Sequence, residues 1–116
     1  MFNRCLLNRT LIDFFMQKFV LKFLWLQRSV AVSLDQKIGD NVSPLTEFYF
    51  WPQCDAWEEM RNFLESKSWI NSSESILLLN QVTEIINDWQ EKDDSQRKDI
   101  FDLKEKFPFV DFIGFD

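Results

Sequence analysis

The stretch FVLKFLWLQRSVAVSL, residues Phe19–Leu34, decides the fold class. Phe19 to Leu26 is rich in aromatic and aliphatic side chains, and Val30-Ala31-Val32-Ser33-Leu34 alternates large apolar residues with small or polar ones. A period of two places Val30, Val32 and Leu34 on one face, the pattern of a strand with one side on a core. Gln27-Arg28-Ser29 is short enough for a hairpin loop, so the spacing predicts two antiparallel strands.

Further along, Asp35 to Pro44 holds Gly39, Asp40, Asn41 and Pro44, which is turn chemistry. Thr46 to Phe50 reads as a third strand closed by Pro52. Helix signals follow. Asp55 offers an N-cap carboxylate, and Glu58 three positions on completes a capping box. Trp57, Met60, Phe63 and Leu64 then recur at three- and four-residue spacing and predict one buried stripe. A second box, Asn71 with Glu74, opens the longest helix. Its Leu78, Val82, Ile85 and Trp89 face inward, and Gln81, Glu84, Asn87 and Asp88 form its polar face. A third, shorter helix is predicted from Gln96 to Lys106 with Ile100, Leu103 and Phe107 inward; Pro108 stops it, and Phe109 to Phe115 reads as a final extended segment. Strands followed by helices predict an α+β fold: a small antiparallel sheet of about three strands, then two to three helices packed on one face.

With 116 residues, no internal repeat and no low-complexity linker, the chain reads as one domain spanning residues 18–116. Residues 1–17 read as an N-terminal extension, within which residues 1–15 are open to three readings: a targeting segment, a disordered arm or sequence upstream of a start at Met16. Hydrophobic residues at 46% and charged residues at 28% exclude both a disordered acidic tail and a membrane protein. Asp13, Lys18, Lys22 and Arg28 interrupt the N-terminal region well short of the roughly 18 apolar residues of a membrane span.

Several chemistries are excluded by residue type. The absence of histidine removes serine triads, cysteine–histidine dyads and mixed zinc sites. Asp35 to Thr46 fails as a calcium loop, because its third, fifth and twelfth places hold Lys37, Gly39 and Thr46. Glu58-Glu59 and Asp93-Asp94 are adjacent carboxylates that diverge on a helix and read as solvated surface. With only Gly39 and Gly114, no glycine-rich phosphate loop is possible. Cys5 and Cys54 lie far apart and outside any Cys-x-x-Cys pair, and read as free thiols. The chain therefore reads as a non-enzyme with no cofactor, no metal and no small-molecule substrate.

Charge is distributed unevenly. The net −6 conceals five cations and one acid in residues 1–34, a net of +4, against eight cations and 18 acids in residues 35–116, a net of −10. Lys18, Lys22, Arg28 and Lys37 are the candidates for phosphate contact, with ordinary solubility on an exposed strand as the competing reading. The aromatic run Phe48-Tyr49-Phe50-Trp51 is expected to turn Phe48 and Phe50 toward the helices. Tyr49 and Trp51 then face outward, where they either cap the sheet or contact a protein partner.

Specific strings add to this reading. Phe23-Leu24-Trp25-Leu26, Val30-Ala31-Val32, Leu34-Asp35-Gln36, Ser43-Pro44-Leu45-Thr46, Tyr49-Phe50-Trp51-Pro52, Asp55-Ala56-Trp57-Glu58-Glu59, Leu64-Glu65-Ser66-Lys67, Trp69-Ile70 and Leu79-Asn80-Gln81 occur in that order. Together they resemble the plastid-specific ribosomal protein 3 family of chloroplasts and cyanobacteria. The likeness runs from about Lys18 through Trp89 and returns more weakly at Lys106-Phe107-Pro108 and Phe112-Ile113-Gly114. The resemblance implies a structural, non-catalytic component of the chloroplast small ribosomal subunit, bound to ribosomal RNA and neighbouring ribosomal proteins in the stroma. Gln53 departs from the family pattern, which often has a basic residue after Trp-Pro, and Glu91 to Asp102 matches poorly. The competing expectation is an acidic interaction module that acts on a translation or assembly factor away from the ribosome.

Overall fold

Along β1 (Lys18–Trp25) the odd-numbered residues Leu21, Phe23 and Trp25 are buried, while Val20, Lys22 and Leu24 on the opposite face are only partly covered. β2 (Val30–Ile38) pairs antiparallel with β1, and its register sets Leu34, Val32 and Val30 beside Leu21, Phe23 and Trp25. Cross-strand partners share a face, so these six side chains form one apolar layer. The predicted hairpin is present in this computed structural model, which describes residues 18–93, 96–98 and 100–115. The N-terminal extension expected at residues 1–17, with Cys5 and Met16, lies outside the described residues.

The sheet is larger than expected, with five strands and mixed direction. Asp35 to Pro44 carries turn chemistry throughout, but β2 continues to Ile38 and folds back through Gly39-Asp40 into β3 (Asn41–Pro44). Gly39, at φ +58°, takes the left-handed backbone that this tight reversal requires. The strand expected at Thr46–Phe50 is displaced to β4 (Tyr49–Trp51), which pairs antiparallel with Val30–Val32. The Thr46 side chain explains the shift: its Oγ1 accepts a hydrogen bond from the Leu34 N–H at 2.9 Å, where a ladder carbonyl would otherwise sit. The final extended segment is β5 (Asp111–Phe115), which runs parallel to β1. The antiparallel expectation thus fails at one edge, because three intervening helices let the chain return in the same direction as β1.

Both predicted caps are formed. Asp55 accepts from the Glu58 N–H at 3.0 Å and opens α1 (Ala56–Ser66). Asn71 accepts from the Glu74 N–H at 2.8 Å and opens α2 (Ser72–Glu91). Among the described residues the third helical region consists of a 3₁₀ turn (Gln96–Lys98) and α3 (Ile100–Lys106).

One core joins these elements: Ala56, Met60 and Leu64 from α1, Leu78, Val82, Ile85 and Trp89 from α2, and Leu103 and Phe107 pack with the β1–β2 layer. Trp57 and Phe63, expected in the buried stripe, are half-buried at its margin. Asp88, expected on the polar face of α2, is only 6% exposed. Among the described residues no helix is long and apolar enough to cross a membrane.

Candidate functional site

The four candidate cations do not converge on one patch. Lys18 stands opposite Lys37 in the β1–β2 register, at one end of the hairpin. Arg28 lies in the loop at the other end and is exposed, as is Lys37. Seven steps of about 3.3 Å separate Val30 from Lys37, so the two ends stand roughly 23 Å apart. Lys22 lies between them and is already engaged, its Nζ 2.7 Å from the Asp35 carboxylate. Asp35 is nearly covered, with 4% of its side chain exposed, so this ion pair compensates a buried charge as well as presenting a cation.

A second arginine, which sequence reading passed over, joins the Arg28 end. Arg97 lies over the Trp89 ring at 3.8 Å, and it donates from Nη1 to the Gln27 carbonyl at 2.8 Å and from Nε to the Trp89 carbonyl at 3.0 Å. Trp25 Nε1 donates back to the Arg97 carbonyl at 2.9 Å, and Trp89 Nε1 donates to the Leu26 carbonyl at 2.8 Å. The β1–β2 loop is thereby held to the end of α2 by two indoles and one guanidinium. No periodicity signals this, because the partners lie 63 to 72 positions apart in sequence.

Next to this junction, Asp88 is held by two lysines, Lys106 at 2.7 Å and Lys92 at 2.9 Å. Burial raises the Asp88 carboxyl, but hydrogen bonds and charge from Lys106 and Lys92 outweigh it and hold the group below its ordinary value. The hydrogen bond to Asp88 correspondingly raises Lys106. Lys92 also lies over the Trp25 ring at 5.5 Å.

The expected facing of the aromatic run is reversed. Tyr49 and Trp51 oppose Val32 and Val30, whose side chains face the core, so both rings pack on the apolar layer. Phe50, expected inward, opposes Ala31 and is 38% exposed. Register with β2 decides the facing, and a single strand read alone carries no such information. Burial, followed by the charges of Glu59 and Glu47, raises the Tyr49 hydroxyl. Cys54, at the end of this run, is a free thiol whose Sγ donates to the Phe50 carbonyl.

The segment from Leu45 through β4, α1 and α2 to Lys92 is the part that matches the sequence model of the plastid and cyanobacterial ribosomal protein family PSRP-3/Ycf65. Over 101 residues the chain is 67% identical to the small ribosomal subunit protein cS23 of Euglena stellata, covering 87% of this chain and 100% of that protein. The chain belongs to the PSRP-3/Ycf65 family. Relatives extend beyond Euglena. The cS23 protein of Gracilaria tenuistipitata var. liui is 52% identical, over 85% of this chain and 98% of its own. A protein of Synechococcus sp. JA-3-3Ab, named a probable small ribosomal subunit protein cS23, is 46% identical over 82% of this chain and 94% of its own. PSRP-3/Ycf65 is a family of ribosomal proteins and not of enzymes, in agreement with the resemblance carried by the sequence strings.

Proposed function

We propose that this protein is a structural constituent of the small subunit of the chloroplast ribosome, bound there in the plastid stroma. The observation that carries this reading is identity of 67% along the whole length of a relative named for the small ribosomal subunit. The division of charge supports a division of labour. The basic hairpin contacts ribosomal RNA through Arg28 at one end and Lys37, with Lys18 opposite it in the register, at the other, while Lys22 between them is held by Asp35; the acidic helical part meets neighbouring ribosomal proteins. Arg28 and Lys37, at opposite ends of the hairpin, suit two separate phosphate contacts rather than one pocket.

Sedimentation of plastid lysate through a sucrose gradient at low salt tests the proposal. The protein is expected in the small-subunit fraction and to leave it as salt rises. Recovery mainly in a complex free of ribosomal RNA would favour the acidic interaction module instead.

A further inference from the structure

The loop between α1 and α2 carries a tryptophan that the core does not absorb. Lys67 to Ile70 form a tight turn, closed by the Ile70 N–H donating to the Lys67 carbonyl at 3.1 Å, with Ser68 and Trp69 at its corners. Both ends of the turn are anchored: Ile70 is buried, and the Lys67 ammonium lies over the Phe63 ring at 5.2 Å. Trp69 is nonetheless 52% exposed, its ring resting on Phe19 of β1 at a centroid distance of 5.9 Å and an interplanar angle of 32°. An indole that is backed by one ring, held on a hydrogen-bonded turn and half open to water is preorganised for a further flat partner.

Charge selects that partner. Phe19 pairs with Gln36, and the next pair outward along the hairpin, about 3.3 Å further on, is Lys18 with the exposed Lys37. Lys67 stands two positions before Trp69 on its own turn. Of the carboxylates on these segments, Asp35 is covered and held by Lys22 at 2.7 Å, and Glu65 is held by Arg61 at 3.1 Å. Glu74 and Asp40 stand five positions from Trp69 and four from Gln36. The ring's close surroundings are therefore cationic, which repels a lysine- or arginine-rich protein segment and attracts phosphates, while an open indole face suits a planar base. We infer that Trp69 is a stacking platform for one unpaired base of ribosomal RNA, with Lys67 and Lys37 taking the phosphates beside it. This deepens the reading of the hairpin as the RNA-facing side, and rests on it. It brings the α1–α2 turn onto that side and adds a base contact, where the lysines supply only phosphate contacts.

The test is a fluorescence-anisotropy titration of the isolated full chain with labelled dodecaadenylate RNA and with an abasic strand of equal length, which keeps the phosphates and lacks the bases. The parent is expected to bind the adenylate strand about five- to hundredfold more tightly, the contribution of one stacked base. Trp69→Ala is expected to remove that preference and leave the salt slope of binding unchanged. Lys67→Gln is expected to lower the log–log slope by about 0.7 and keep the preference. Trp69→Phe, with a smaller ring, retains part of it, and Phe101→Ala, which deletes an exposed ring on α3, retains all of it. Because the indole is exposed, the Trp69 variants are expected to fold, as thermal denaturation checks; the comparison of the two strands needs only the parent. A parent that binds no RNA or binds both strands equally, or a folded Trp69→Ala protein that keeps the full preference, overturns the inference. Co-sedimentation with small subunits reports separately on the ribosomal reading, so the two can fail independently.

Discussion

Arg97 stacks on Trp89 at 3.8 Å and from that position donates to the Gln27 carbonyl, tying the loop of the first hairpin to the C-terminal end of α2. One side chain thus supplies a ring contact and two charged hydrogen bonds to backbone carbonyls. Arg97→Ala is expected to cost about 2 to 4 kcal/mol of stability, the sum of a partly desolvated ring contact and a charged hydrogen bond. Arg97→Lys restores only part of that, because an ammonium lacks the planar fork. Urea denaturation of the three proteins measures it; a lysine variant as stable as the parent argues that charge alone suffices.

Asp88 makes stability depend on pH in a defined direction. Its folded-state carboxyl titrates below the ordinary value, so the pairing contributes fully above about pH 4 and is lost as pH falls through the folded value. Asp88→Asn is therefore expected to cost about 1 to 3 kcal/mol at neutral pH. The deficit narrows as the parent's carboxyl becomes protonated. Denaturation series at about pH 7 and about pH 3 compare the two; an unchanged deficit at the lower pH contradicts the assignment.

Lys22 and Asp35 are expected to behave as a coupled pair. Lys22→Met leaves a covered carboxylate without its cation, at an expected cost of about 3 to 5 kcal/mol. The double variant Lys22→Met, Asp35→Leu recovers most of the loss, since two apolar groups need no compensation. A double-mutant cycle by thermal denaturation gives the coupling; simple additivity of the two changes argues against a shared role.

Binding to RNA is then best probed through Arg28 and Lys37, which are exposed and distant from the core. Reversing both to glutamate is expected to leave the fold intact. It should lower the salt dependence of small-subunit binding by roughly 0.7 to 0.9 in log–log slope for each phosphate that is no longer neutralised. An unchanged slope moves the RNA-binding face elsewhere on the surface.

Legibility in the sequence followed the range of the interactions. The caps at Asp55 and Asn71, the stripe of α2 and the β1–β2 hairpin depend on neighbours within a few residues, and each stands where local chemistry put it. The facing of Tyr49 and Trp51 was not legible, because β4 takes its register from Val30 and Val32, some 17 to 21 positions earlier. The strand β3 was hidden inside a run of turn residues, of which only Gly39 and Asp40 make the turn.

By itself the sequence determined the α+β class, the helix starts, the non-catalytic character and the ribosomal family, since these rest on residue type, spacing and ordered strings. Only the tertiary structure decided that β5 returns parallel to β1, that Lys22 is bound to Asp35, and that Asp88 is buried between two lysines. It also brought Trp51 and Trp57 together across from α2 around one groove. The physical reason is that a charge or an indole N–H gains its role from whatever desolvates and faces it, and in this chain those partners come from distant elements.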